Sequence, residues 1–204
     1  MAMPQSATTR LFPEFEQILP AEGMPRLLLH CCCAPCASSV IEQLSPYFSI
    51  ALLFYNPNIR PREEHDKRAA DMGKLLASGQ FINGIELIIR DGGVSDFDGI
   101  IRAFPDEAEG GERCKACFEL RLAETALDAK TGGYDCFATT LSVSPHKNAA
   151  LINSIGSRLA DEQGIRFLQA DFKKRDGYKR SVELSKLYGL YRQDYCGCRR
   201  SGLR

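Results

Sequence analysis

A chain of 204 residues with 44% hydrophobic and 25% charged side chains can bury one substantial core and is short for two full domains. No apolar run approaches membrane-span length, and the first fifteen residues lack the apolar centre and cleavage site of a signal peptide, so a soluble, cytoplasmic protein with no membrane partner is expected. The zero net charge hides an asymmetry: residues 166–204 hold eleven Lys and Arg against four Asp and Glu, +7, leaving residues 1–165 with fifteen against twenty-two, −7.

Residues 1–26 read as an N-terminal extension, and a single α/β domain with a basic C-terminal segment over 166–204 is expected across 27–204. Leu27-Leu28-Leu29 is an apolar run that reads as a buried strand ending in the loop from His30 to Pro35, after which Ala37 to Leu44 looks helical. Ile50 to Tyr55 is a second strand, stopped by Asn56-Pro57-Asn58 and Pro61. A charged helix from Glu63 to Leu76 follows, with His65 expected in solvent. Glu86 to Ile89 is a third strand. Phe97 to Arg113, with Pro105, Gly110 and Gly111 among acidic residues, reads as a loop or lid. Cys117 to Lys130 carries Leu120, Leu122, Ala123, Ala126 and Leu127 at mixed three and four spacing and predicts a helix. Asp135 to Thr139 is a fourth strand with a loop from Leu141 to Ser144, Lys147 to Asp161 a helix, Phe167-Leu168 a fifth strand and Tyr178 to Leu187 the last helix. This alternation predicts an α/β fold, a mainly parallel sheet with helices on both faces and ligand sites beyond the strand ends.

Eight of the nine cysteines form three clusters: Cys31-Cys32-Cys33-x-x-Cys36, Cys114-x-x-Cys117 and Cys196-Gly197-Cys198. In a reducing compartment such clusters point to metal binding or redox chemistry rather than structural disulfides. Spacing does not choose zinc over iron–sulfur, although eight thiols exceed what a four-ligand zinc site uses, which favours a cluster plus further redox thiols. Two thiols one residue apart close only a small strained ring, the easily reduced kind of disulfide. Gly197 supplies the backbone freedom, and Arg199 and Arg200 should favour thiolate. The alternative is that Cys196 and Cys198 are further metal ligands. Lone Cys136 is expected in the core. His30 adjoins the first cluster as a proton donor or a satisfied buried histidine. His146 lies on a loop beyond a strand end, and Tyr188, Tyr191 and Tyr195 approach the last cysteine pair. The basic segment, with Lys179, Arg180 and Arg192, would neutralise phosphates of a polyanion or simply form a solvated face.

Five segments together resemble one family: His30-x-Cys32-Cys33-Ala34-Pro35, Phe54-Tyr55-Asn56-Pro57-Asn58-Ile59-x-Pro61, Cys114-x-x-Cys117-Phe118-Glu119-Leu120-Arg121-Leu122, Thr139-Thr140-Leu141-x-Val143-Ser144-Pro145-His146-x-Asn148, and Tyr178-Lys179-Arg180-Ser181 through to Tyr195-Cys196-Gly197-Cys198. They are similar, in order, to the QueH family of epoxyqueuosine reductases. The resemblance implies a Rossmann-like fold and reduction of the epoxide of epoxyqueuosine in a tRNA anticodon loop to queuosine, with a [4Fe-4S] cluster. By position it implies Cys32, Cys33, Cys114 and Cys117 as cluster ligands and Cys196 with Cys198 as a redox-active pair. Cys36 is left as an additional ligand, a ligand of a second metal ion, or neither, and Cys31 as incidental. His146, Lys179, Arg180, Tyr191 and Arg192 are candidates for contact with tRNA carrying epoxyqueuosine, and an electron donor is required. The competing reading is a zinc-stabilised, non-catalytic RNA-binding module. An ATP-using enzyme is disfavoured, because the loop after the first strand is cysteine-rich where a phosphate cradle wants glycines.

Overall fold

The three leucines of the first apolar run lie at the centre of the sheet, in β1 (Arg26–His30), between β2 (Ser49–Phe54) and β4 (Cys136–Thr139). The structure, a computed structural model, describes residues 23–78 and 84–198. With β3 (Glu86–Ile89) outside β2 and β5 (Arg166–Phe167) outside β4, the strand order is β3-β2-β1-β4-β5, and every pairing is parallel.

Side chains alternate between the two faces of a strand, and here both faces are apolar. Leu27, Leu29, Ile50, Leu52 and Phe54 share one core with α1 (Ala34–Leu44) and α2 (Arg62–Ala77), while α6 (Gly177–Leu187) packs on α1. Leu28, Ala51, Leu53 and Phe137 share the other with α4 (Glu112–Thr131) and α5 (Ala149–Gln163). A parallel sheet buried on both sides demands such continuous apolar strands, so the expected α/β architecture holds.

Three expectations change. The stretch expected as a loop or lid contains most of α3 (Val94–Ala103), whose Phe97 is buried. Phe97, Ile100 and Ile101 stand at i, i+3 and i+4, an apolar stripe outweighed on reading by the prolines, glycines and acids nearby. Gly93 caps this helix at φ +69, where a Cβ would collide with the Tyr55 hydroxyl. Irregular chain is confined to 104–111, and α4 begins at Glu112, so Cys114 and Cys117 lie one turn apart near its N-terminus. His65, expected in solvent, is buried edge-on against Phe54, its ring centroid 5.1 Å away, with Nδ1 bonded to Asp66. Glu63, Asp66 and Lys67 are exposed, while His65 shares the inward face of α2 with Glu64, Arg68, Ala69 and Met72. The loop expected at Leu141 to Ser144 is a 3-10 turn over Thr140–Val143, capped by the Thr139 hydroxyl.

In this order the chain reverses direction across the sheet between β1 and β4, the crevice where ligands of open α/β sheets collect. The first cysteine cluster follows β1, and the segment carrying His146 follows β4 through the 3-10 turn.

Candidate active site

The first cluster is built by a strand stopping and a helix starting. Cys33 is the N-cap of α1, and Pro35 sits at its first turn, where a missing N–H costs nothing. Cys31 points away into the core, its thiol donating to the Leu53 carbonyl at 3.5 Å. Cys32 and Cys33 sulfurs lie 4.0 Å apart, and Cys36 hydrogen-bonds with both. Hydrogen bonds from Cys33 and Cys36, aided by Lys147 and Arg121, hold Cys32 well below the ordinary thiol range. Cys33, hydrogen-bonded to Cys32, is pushed up to about 11. One thiolate shared among three sulfurs is the arrangement a helix N-terminus favours.

From α4, Cys114 accepts a hydrogen bond from the Gly110 amide at 3.2 Å, and Cys117 is buried, which raises its thiol to about 11. The charges of Cys114, Cys117, Cys32 and Cys196 all act on Arg121, so the three cysteine clusters share one electrostatic site. Cys136 is absent from it, fully buried on β4 in the core as expected. Among the described residues no three His, Cys, Asp or Glu side chains close on one point as the ligands of a single ion do.

His30 is a satisfied core histidine. Its Nε2 lies 3.1 Å from the Tyr55 carbonyl, which can only accept, so Nε2 carries the proton and Nδ1 accepts from the Thr139 hydroxyl at 2.9 Å. Burial, with Arg121 nearby, lowers its pKa to about 3, so the ring stays neutral and ties three strands together.

A cavity of about 540 Å³ opens beyond the sheet, lined by Cys32, Cys33, Cys36 and Cys196 together with Arg68, His146, Lys147, Tyr191 and Arg192. Three of the five residues expected to contact a nucleic acid therefore face the thiols. Lys179 and Arg180 lie outside its lining, on α6. Arg180 grips Glu42 with two bonds of 2.7 and 2.8 Å and also reaches Glu183. Tyr191 donates to Glu64 at 3.2 Å, and Arg192 lies over the Tyr178 ring, 5.0 Å from its centroid. Arg199 and Arg200, like the extension over residues 1–22, lie outside the described residues.

Two cations that went unremarked among the quoted motifs prove central. Arg121 is 1% exposed, yet Nη1 bonds only two neutral amide oxygens, Asn56 at 3.1 Å and Asn58 at 3.0 Å, while Nε and Nη2 have no protein partner. Burial opposes the charge on Lys147, but Cys32 and Cys196 attract it more strongly and raise its pKa overall. A buried cation such as Arg121 without a carboxylate is costly unless some anion neutralises it, and thiols surround both it and the partly buried Lys147. The donor set therefore suits a thiolate-held, net anionic metal group. Arg121 was legible from its spacing, one helical turn beyond Cys117; Lys147 carried no signal beyond its neighbour His146.

The C-terminal loop is clamped from α2. Arg68, itself paired with Glu64 at 2.6 Å, donates to the carbonyls of Cys196 (3.0 Å) and Tyr195 (3.5 Å), and the Arg60 amide donates to Gly197. Gly197 has φ +105, and a Cβ there would press on the Arg68 guanidinium at 3.1 Å. A hydrogen bond from Cys198, reinforced by Lys147 and Arg121, lowers the Cys196 thiol to about 5. Cys196 is thus a thiolate at neutral pH, facing the same cavity as the first cluster.

A parallel sheet with cysteine thiols and two cations gathered at its switch point defines an α/β protein with a cysteine-rich cleft beyond its strand ends. Residues 27–203 match the family model described as Epoxyqueuosine reductase QueH, and the chain belongs to that family. It is 38% identical over 176 residues to an epoxyqueuosine reductase QueH of Streptococcus pyogenes serotype M1, covering 85% of this chain and 69% of that protein. It is 35% identical over 183 residues to the protein of the same name from Thermotoga maritima, covering 86% and 89%, and 38% identical over 176 residues to that of Dehalococcoides mccartyi, covering 85% and 91%. No helix among the described residues is long and apolar enough to cross a membrane.

Proposed function

We propose that this protein is an epoxyqueuosine reductase that converts the epoxide of epoxyqueuosine in a tRNA anticodon loop to the alkene of queuosine, using an iron–sulfur cluster and the Cys196 and Cys198 dithiol. The observation that carries the reading is the opening of Cys32, Cys33, Cys36 and Cys196 into one cavity beside Lys147. Cys32, Cys33, Cys114 and Cys117 would hold a [4Fe-4S] cluster, and Cys36 beside them would be an additional ligand, a ligand of a second metal ion, or neither. Bound there, the cluster would supply single electrons.

Deoxygenating an epoxide to an alkene consumes two electrons and two protons and releases water. The Cys196 thiolate and Cys198 thiol closing to a disulfide yield two electrons and one proton; solvent supplies the second proton, and an external donor must restore the pair. Arg121 and Lys147 offset the negative charge of the thiolates. Tyr191 and His146 line the cavity where the modified base would sit, Arg192 is placed for a phosphate, and Lys179 would meet the anticodon stem.

The experiment is anaerobic purification with iron, sulfide and zinc analysis, followed by nucleoside mass spectrometry of tRNA carrying epoxyqueuosine. About four irons with matching sulfide per chain, and conversion to queuosine, are expected. Stoichiometric zinc, no labile sulfide after reconstitution, and tRNA binding without conversion would establish a zinc-stabilised RNA-binding module instead.

A further inference from the structure

The Cys196-Gly197-Cys198 loop separates two cavities. Cys196 lines the one described above, whereas Cys198 lines a second of about 510 Å³, and Tyr195 is the one described residue shared by their linings. The loop is not free to turn either thiol to the other side, because Arg68 holds the carbonyls of Tyr195 and Cys196 while the Arg60 amide holds that of Gly197.

The two cavities differ in chemistry. The second has an apolar lining from Pro57, Ile59 and Val94. Its arginines are neutralised: Arg60 by Asp98 at 2.7 Å, Arg62 by Asp66 at 2.7 Å and Asp91 at 2.9 Å, and Arg90 by Glu124 at 2.7 Å and Asp128 at 2.6 Å. With no surplus cation among its described residues, that lining gives a polyanion little to bind, yet its volume lies in the range of small-ligand sites. We propose that this cavity admits the dithiol reductant that regenerates the enzyme, attacking at Cys198 while tRNA occupies the cavity on the Cys196 side. The inference rests on the redox role given to the pair.

The exchange balances. One donor thiolate forms a bond to the Cys198 sulfur, the Cys196–Cys198 bond breaks, and its electron pair leaves on Cys196. The donor's second thiolate then attacks the donor sulfur bonded to Cys198, releasing Cys198. The donor is oxidised by two electrons to its own disulfide; one of its two protons ends on Cys198 and the other passes to solvent, because Cys196 stays a thiolate. Attack at Cys198 makes Cys196 the leaving group, the sulfur already stabilised as an anion by its surroundings.

Holoenzyme is taken through one turnover, and reduction of the resulting disulfide by dithiothreitol is followed by thiol trapping. Saturating queuosine tRNA should leave the wild-type rate within about twofold, and Val94→Trp, at a half-exposed position on the cavity wall, should slow it roughly tenfold, since exchange depends on access to the attacked sulfur. Val94→Ala should not slow it. Thioredoxin at equal dithiol concentration tells a protein source from a small one by which reaction Val94→Trp slows more. Complete protection by tRNA, or wild-type rates for Val94→Trp with both reductants, overturns the second entrance. If the pair never becomes oxidised during turnover, it is the redox reading that fails.

Discussion

Arg68 donates from Nη1 to the Cys196 carbonyl at 3.0 Å, joining the second helix to a loop 128 residues away. Its Nε is at the same time held by Glu64, so one buried guanidinium fixes where the redox pair can sit. Arg68→Met would remove these bonds and leave Glu64 buried without its partner. A loss of about 3 kcal/mol is expected, since breaking a buried pair costs about 3 to 5. Chemical unfolding would measure it. The Cys196–Cys198 reduction potential, by thiol trapping in defined redox buffers, should shift as well; an unchanged potential would confine Arg68 to a structural role.

Cys32→Ser, Cys33→Ser, Cys114→Ser and Cys117→Ser should each lower iron content, whereas Cys136→Ser should retain iron while lowering the melting temperature, because it places a hydroxyl in a fully buried apolar position. Iron lost equally from Cys136→Ser would mean the ligands are assigned wrongly. Cys36→Ser decides whether the third sulfur of the first group serves the same metal group or a separate one.

Replacing Cys196 or Cys198 with Ser should leave a full cluster and abolish multiple turnover. The pH dependence of alkylation adds a second readout. With a thiol lowered to about 5, the Cys196 carbamidomethylation rate in Cys198-intact protein should stay flat at neutral pH and fall only as pH drops through about 5, where the thiolate is protonated. Cys198→Ala removes the leading cause of that shift, so the midpoint should move up toward the ordinary value of about 8.5. An unmoved midpoint would locate the cause elsewhere.

Lys179 and Arg180 are neighbours in sequence with different commitments. Arg180 is bound to Glu42 and Glu183, so Lys179→Gln should weaken tRNA binding more than Arg180→Gln and reduce the slope of log affinity against log salt by about one. Fluorescence anisotropy over a salt series checks this. Equal losses would show that Arg180 leaves Glu42 to bind tRNA.

Gly177→Ala should destabilise the fold by about 1 to 3 kcal/mol, the usual cost of overpacking. The added Cβ would stand 1.8 Å from the Phe172 carbonyl oxygen, so main chain rather than a flexible side chain must move. Thermal unfolding would register it.

What the sequence determined by itself was local and periodic. Leu27 to Leu29, the breakers after Tyr55 and the apolar spacing around Leu122 fixed strands and helices, because alternation and three-to-four spacing are set by neighbouring residues. The ordered cysteine motifs likewise pointed to the family. Where acids, Pro and Gly crowded the pattern around Phe97, a helix was missed, and His65 was misplaced because its flanking charges concealed the face it shares with Arg68. Only the tertiary structure decided which groups meet. It set Arg121 and Lys147 among thiolates, bound Arg180 to Glu42, and turned Cys196 and Cys198 toward different cavities. Those contacts depend on strand order and helix docking, and the energy of a buried charge is decided by neighbours far away in the chain.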